Sequence, residues 1–230
     1  MKWSSFLRTM VVAAATLFST VVSAQTADSR RVPSQSTGDN PNLSGFIPIE
    51  AKLIKELRAN LEGRGTNAIV LAYGFDREPY VTVGVRILKH GPSGWEMAFE
   101  ESDSVINGAG VSDALNIEKV SSSEGKEGVV VILKNSGAGT ATDWHILASV
   151  RSKVIKVESA QIRNKVLKDR GYVFEGYNGV SVSDDLVTED LAGYSPETAR
   201  CCPDKPSIAI RSRFTGASIK LDSVKELPSK

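Results

Sequence analysis

The chain has 230 residues, with 28 lysines and arginines against 27 aspartates and glutamates, for a net charge of +1. The cations form no block and no basic amphipathic stretch, so the composition excludes the electrostatic footprint of a nucleic-acid binder or of a helix held on a membrane surface. With 41% hydrophobic residues the chain can bury a sizeable core, enough for one domain or two small ones.

The first 24 residues read as an export signal. Lys2 and Arg8 precede an apolar run from Met10 to Val22, and Val22-Ser23-Ala24 offers small residues to a signal peptidase. Cleavage after Ala24 leaves a product starting at Gln25, with one more acidic side chain than basic. The apolar run is shorter than the ~20 residues of a membrane span. No cysteine lies near the cleavage site, so the expected product is secreted or periplasmic, without a lipid anchor or a later membrane span. Residues 25–44 contain little that can be buried and read as a disordered spacer before a single β-rich domain over 45–226. Asn42-Leu43-Ser44 matches a glycosylation triplet, which carries little weight beside a bacterial-type signal.

Next in the chain, Ile49, Leu53, Ile54, Leu57 and Leu61 recur at helical spacing, with Pro48 at a permissive first turn and Gly63 just past the end. This spacing predicts an N-terminal helix packed on a sheet. Strands are then expected at Ala68–Tyr73, at Val81–Ile87 where valines alternate with polar residues, and at Trp95–Phe99. Gly91-Pro92-Ser93-Gly94 supplies turn chemistry between the last two. The order recurs in GVVVIL (128–133), DWHILASV (143–150) and VIKVE (154–158), with Ile69 and Val129 lying 60 residues apart. The pattern is that of a degenerate duplication of a β-meander, with copies at about 61–102 and 121–159.

Residues 159–170 suit either a helix on Ile162 and Val166, ending at Gly171, or irregular structure. Asn178-Gly179 reads as a hairpin turn between VFEGY and VSVS, and Thr215-Gly216-Ala217 joins a last pair of strands, Ile208–Phe214 and Ser218–Val224. The expected fold is therefore mainly β within the α+β class: one N-terminal helix on a mostly antiparallel, meander-type sheet with two degenerate repeats, an incomplete propeller.

The glycine-containing turns Glu62-Gly63-Arg64-Gly65 and Glu124-Gly125-Lys126-Glu127, each followed by an apolar strand, together with Gly94-Trp95 opening a later one, resemble secreted bacterial proteins with FG-GAP or VCBS-type repeats. The resemblance implies propeller-like blades. In those families the turn is an Asp-x-Asp-Gly calcium loop, whereas here most carboxylates are absent and cations have entered. A second resemblance covers Tyr194 to Phe214, where Cys-Cys-Pro precedes a hairpin as in exported bacterial proteins of the LppP/LprE lipoprotein kind. It implies a compartment and an architecture and no mechanism.

Candidate chemistry is sparse. Cys201 and Cys202 are the only cysteines, and an oxidising compartment favours their pairing. Their adjacent Cα atoms, about 3.8 Å apart, fall short of the usual disulfide window, so a vicinal bridge is strained. The alternatives are a structural bridge, unpaired or intermolecular thiols, and a redox or ligand-binding role. His90 and His145 form no metal-ligand spacing, and adjacent cysteines point apart, so no metal or cofactor is expected. Ser136–Thr140 and Asn107–Gly110 lack the Lys-Ser/Thr ending of a phosphate loop and read as hairpin loops, while Asp184, Asp185, Glu189 and Asp190 read as a solvated acidic cluster. No Gly-x-Ser-x-Gly elbow is present and no catalytic residue is assigned.

The reading that follows is an exported, noncatalytic β-repeat module that binds a protein or envelope component. Its expected contact surface is formed by exposed loop residues around Trp144, His145 and Pro203. The alternatives are an exported thiol protein using Cys201-Cys202 and, least supported, a hydrolase in which His90 or His145 meets a serine and a carboxylate.

Overall fold

Among the described residues, twelve strands fold as three consecutive antiparallel meanders. They are seen in a computed structural model that describes residues 41–65, 68–77, 80–106, 108–136, 141–176, 178–197 and 202–228. The first sheet contains β1 (Lys52–Ala59), β2 (Ala68–Arg77), β3 (Tyr80–Gly91) and β4 (Gly94–Ile106). A single turn of helix, α1 (Val111–Ala114), leads into the second sheet: β5 (Leu115–Ser121), β6 (Glu127–Asn135), β7 (Ala141–Val150) and β8 (Lys153–Glu158). Helix α2 (Ala160–Arg170) precedes the third sheet, which contains β9 (Asn178–Ser183), β10 (Leu186–Gly193), β11 (Lys205–Phe214) and β12 (Ile219–Glu226). In every sheet the spatial order of strands follows the chain, and no sheet closes into a barrel.

The sheets stack face to face, with the second in the middle. Alternate residues of its strands serve opposite neighbours. Val129, Val131 and Leu147 join Val70, Val83, Val85 and Ile87 of the first sheet, while Val130, Ile132, Trp144 and Ile146 join Val187 and Phe214 of the third. This explains the unbroken apolar run of β6, since a strand buried on both faces has no side to leave polar. Each fully buried Val, Leu or Ile contributes about 1.5–3 kcal/mol, so these two inter-sheet layers dominate the stability.

The outer layers are finished differently. The 3₁₀ turn Leu43–Phe46 packs Phe46 on Ile69, Leu71, Leu88 and Trp95 of the first sheet. Arg86 Nη1 donates to Phe46 O at 2.6 Å and fastens it there. On the third sheet, Val187, Glu189 and Leu191 lie opposite Ser212, Ile210 and Ile208, so all six share one face. The second sheet covers the Val187 end, and α2 covers the rest by placing Val166 and Leu167 on Leu191, Ile208 and Ile210. Thr188 and Asp190 point the other way, which leaves a polar face that ends the stack.

Three expectations are corrected. Residues 52–59 form strand β1, not an N-terminal helix. A register shift between Leu53 and Lys55 breaks the strand's alternation, so that Ile54 and Leu57, three apart, both pack on the inner core. A β-bulge thus imitates helical spacing, and pairing with β2 overrides it. Second, Asn178-Gly179 opens β9 and is not a turn, and residues 173–176 form no strand beyond one bridge, Val173 to Tyr194. The tight turn lies at Asp184-Asp185, where Asp184 takes φ 47° and Ser183 pairs with Leu186. Third, the meander occurs three times, with β5 and the third sheet added to the two copies read from the sequence.

Helix α2 settles the open choice at 159–170. It ends where Gly171 adopts φ 64°, with Gly171 N and Tyr172 N donating to Lys168 O and Leu167 O. A Cβ is disfavoured at such an angle, so Gly171→Ala is expected to lower stability by about 1 kcal/mol, read as a lower urea midpoint at unchanged slope.

Candidate functional site

Between the first and second sheets, beside β4 and β8, lies a cleft of about 50 Å³. Val83, Val85, Leu115, Val131 and Leu133 form its apolar walls, and Glu101, Ser102, Asp103, His145 and Lys156 supply the polar atoms. Glu101 comes from β4, where Phe99 and Val105 also face inward; it therefore places a carboxylate in a row of apolar positions. His145 comes from the face of β7 that carries Leu147, and Lys156 from the edge strand β8.

His145 is buried, and its Nε2 lies 2.6 Å from Glu101 Oε1. The other oxygen, Glu101 Oε2, lies 3.5 Å from Lys156 Nζ, which is also 3.5 Å from Glu158 Oε1. Glu158 stands directly opposite His145 in the β7–β8 register. Burial is the largest single influence on Glu101 and pushes its pKa up. The hydrogen bond and charge of His145, with the charge of Lys156, together outweigh it and hold the carboxyl below its usual range.

The residues singled out from the sequence do not gather here, His145 excepted. Trp144 is buried on the opposite face of β7, between the second and third sheets, and its Nε1 has no hydrogen-bond partner among the described residues. The expectation that Trp144 and His145 form an exposed loop surface is therefore corrected: both sit within a central strand and are 3% exposed. Pro203 is exposed in the loop before β11, beside exposed Cys202, whereas Cys201 lies outside the described residues. His90 packs edge-on to Trp95, with ring centroids 5.4 Å apart. Most of the Ser136–Thr140 loop and Asn107 lie outside the described residues.

The two turns compared with calcium loops lie side by side and spend their carboxylates on cations and backbone. Glu62 binds Lys89 at 2.8 Å. Glu127 binds Lys119 at 3.1 Å and accepts from Asn60 N at 2.6 Å, while Glu124 lies 3.8 Å from Lys126. Among the described residues no three His, Cys, Asp or Glu side chains converge as a metal site would require.

A second buried ionic centre went unnoticed in the sequence. Arg163 of α2 donates from Nη1 to Glu189 at 3.0 Å and from Nη2 to Asp143 at 3.1 Å, with its guanidinium 4.2 Å from the centroid of the Phe174 ring. Glu189 is 2% exposed, so the acidic cluster at 184–190 is only partly a solvated surface. This centre ties α2 to both the second and third sheets.

Comparison with known proteins returns no matching family model, no matching curated relative and no matching solved structure. Among the described residues, no helix is long and apolar enough to cross a membrane.

Proposed function

We propose that the chain is an exported, noncatalytic binding module whose three meander sheets are propeller-like blades of an incomplete ring, recognising a protein or another envelope component. The observation that carries this reading is the stacking. The first strands of successive sheets lie near one another, β1 beside β5 and β5 beside β9, and the sheets also meet through β4 with β6 and β8 and through β7 with β9. Such an arrangement is a rigid scaffold that leaves loops and strand edges for recognition. The export half of the proposal rests on residues 1–24.

In the cleft, His145 Nε2 is engaged by the Glu101 carboxylate. A cleft of about 50 Å³ is also small beside the ~300–1,000 Å³ typical of small-molecule sites.

The test is expression of the full chain in a bacterial host, with a photo-crosslinking residue placed at exposed Pro203 or, in a second version, at Tyr80, which is 52% exposed. The expected product begins at Gln25 by intact mass, is recovered outside the cytoplasm, and forms a discrete crosslink with one envelope component. Retention of residues 1–24 in a cytoplasmic product would overturn the export half of the reading. Absence of any crosslink at both positions in exported protein would overturn the binding half.

A further inference from the structure

We propose that Glu101 and His145 form an acid-released clasp between the first two sheets, and that its release widens the cleft beside them. The pair joins strands of two different sheets, inside an apolar layer, beside the cleft between those sheets. The groups facing it are few. Asp103 is on β4, Lys156 and Glu158 are on β8, and the walls from β3, β5 and β6 are Val83, Val85, Leu115, Val131 and Leu133.

At neutral pH the Glu101 carboxylate accepts from His145 and faces the Lys156 ammonium. Protonation of Glu101 removes the anion that His145 Nε2 and the Lys156 ammonium share, and leaves a buried imidazole and an ammonium side by side without it. Buried polar groups that lose their partner are costly, and hydration through a wider cleft relieves them. Because the folded chain holds Glu101 below its ordinary 4.5, the clasp contributes fully above that pH and is lost as the pH falls through the lower folded value. The ties from Lys55 Nζ to Asn116 Oδ1 (3.1 Å) and from the Glu127 backbone N to Asn60 O (2.8 Å) involve no carboxylate, so they persist and keep the two sheets joined while the β4–β8 side opens.

The experiment titrates anilinonaphthalene sulfonate binding and backbone amide NMR shifts from pH 7 to 3 for the intact chain and for Glu101→Gln. The wild type is expected to gain about threefold in dye fluorescence below pH 4.5 while its far-UV circular dichroism stays folded. Amides of 99–103 and 154–158 should move with one midpoint, and those of 187–191 in the third sheet should hold. Glu101→Gln should bind the dye at pH 7 and show no further step. A wild type whose dye binding and 99–103 amides are unchanged down to pH 3, or whose three sheets respond together, would overturn the clasp. So would a Glu101→Gln chain that titrates as the wild type does. If the variant fails to fold, the wild-type amide titration alone decides, because a single midpoint confined to the two clasp segments is the signature that ordinary acid unfolding lacks.

Discussion

Replacing Glu189 with alanine is expected to destabilise the fold by about 3–5 kcal/mol, because it leaves the guanidinium of Arg163 without its buried partner. Arg163 is 6% exposed and Glu189 2%, so water cannot take over the lost interaction without opening the seam between α2 and the third sheet. Asp143, on the other side of Arg163, is largely exposed and screened, and cannot replace Glu189. The double change Arg163→Met with Glu189→Leu should recover most of the loss, since it removes both charges and fills the space with apolar atoms beside Leu191, Ile208 and Val166. Urea unfolding of the two variants checks this. A loss under ~1 kcal/mol for Glu189→Ala would mean that the pair is hydrated.

The parts of the fold that were legible in the sequence are those where local pattern and tertiary environment agree. The β3 alternation and the Gly91–Gly94 hairpin appear as expected, and so do the paired last strands joined around Gly216. The 60-residue offset is matched by place, since Ile69 and Val129 lie on the second strand of their respective sheets. Errors arose where one pattern served two structures. In β1 a bulge put two apolar side chains three residues apart on one face, which spacing alone cannot distinguish from a helix turn. β5 was missed because LNIEKV hides three buried positions, Leu115, Ile117 and Val120, among charged neighbours, and its partner strand lies across a polar turn.

The site was less legible still, because it is made of pairs that sequence distance conceals. His145 stood out only as one of two histidines, while its partner Glu101 is 44 residues away within an acidic-looking segment. The available signal was positional: Phe99, Glu101 and Val105 share an inward register on β4, so a carboxylate at 101 requires a partner. Likewise Glu189 alternates with Val187 and Leu191 on β10, which separates it from the exposed Asp190 beside it. Counting the acids at 184–190 as one cluster lost that distinction.

Phe214→Ala should cost about 3–5 kcal/mol, at the upper end for a single substitution in this chain. Phe214 is 1% exposed and among the largest fully buried side chains. It closes the core between the second and third sheets together with Val130, Ile146 and Val187. Val130 and Ile146 keep their places through backbone pairing within the second sheet, so they collapse into the space only in part. Gly128 on β6 exists for this ring: a Cβ there would lie 2.9 Å from Phe214 Cζ and 2.7 Å from Ile146 Cγ2. Gly128→Ala alone should therefore destabilise by about 1–3 kcal/mol through overpacking. Combined with Phe214→Leu, the ring's share of the clash is removed while the approach to Ile146 Cγ2 remains, so the double variant should be less destabilised than the two single losses added together. Denaturant unfolding of the four chains measures the coupling directly, and strict additivity would show that the ring and the glycine do not share one packing site.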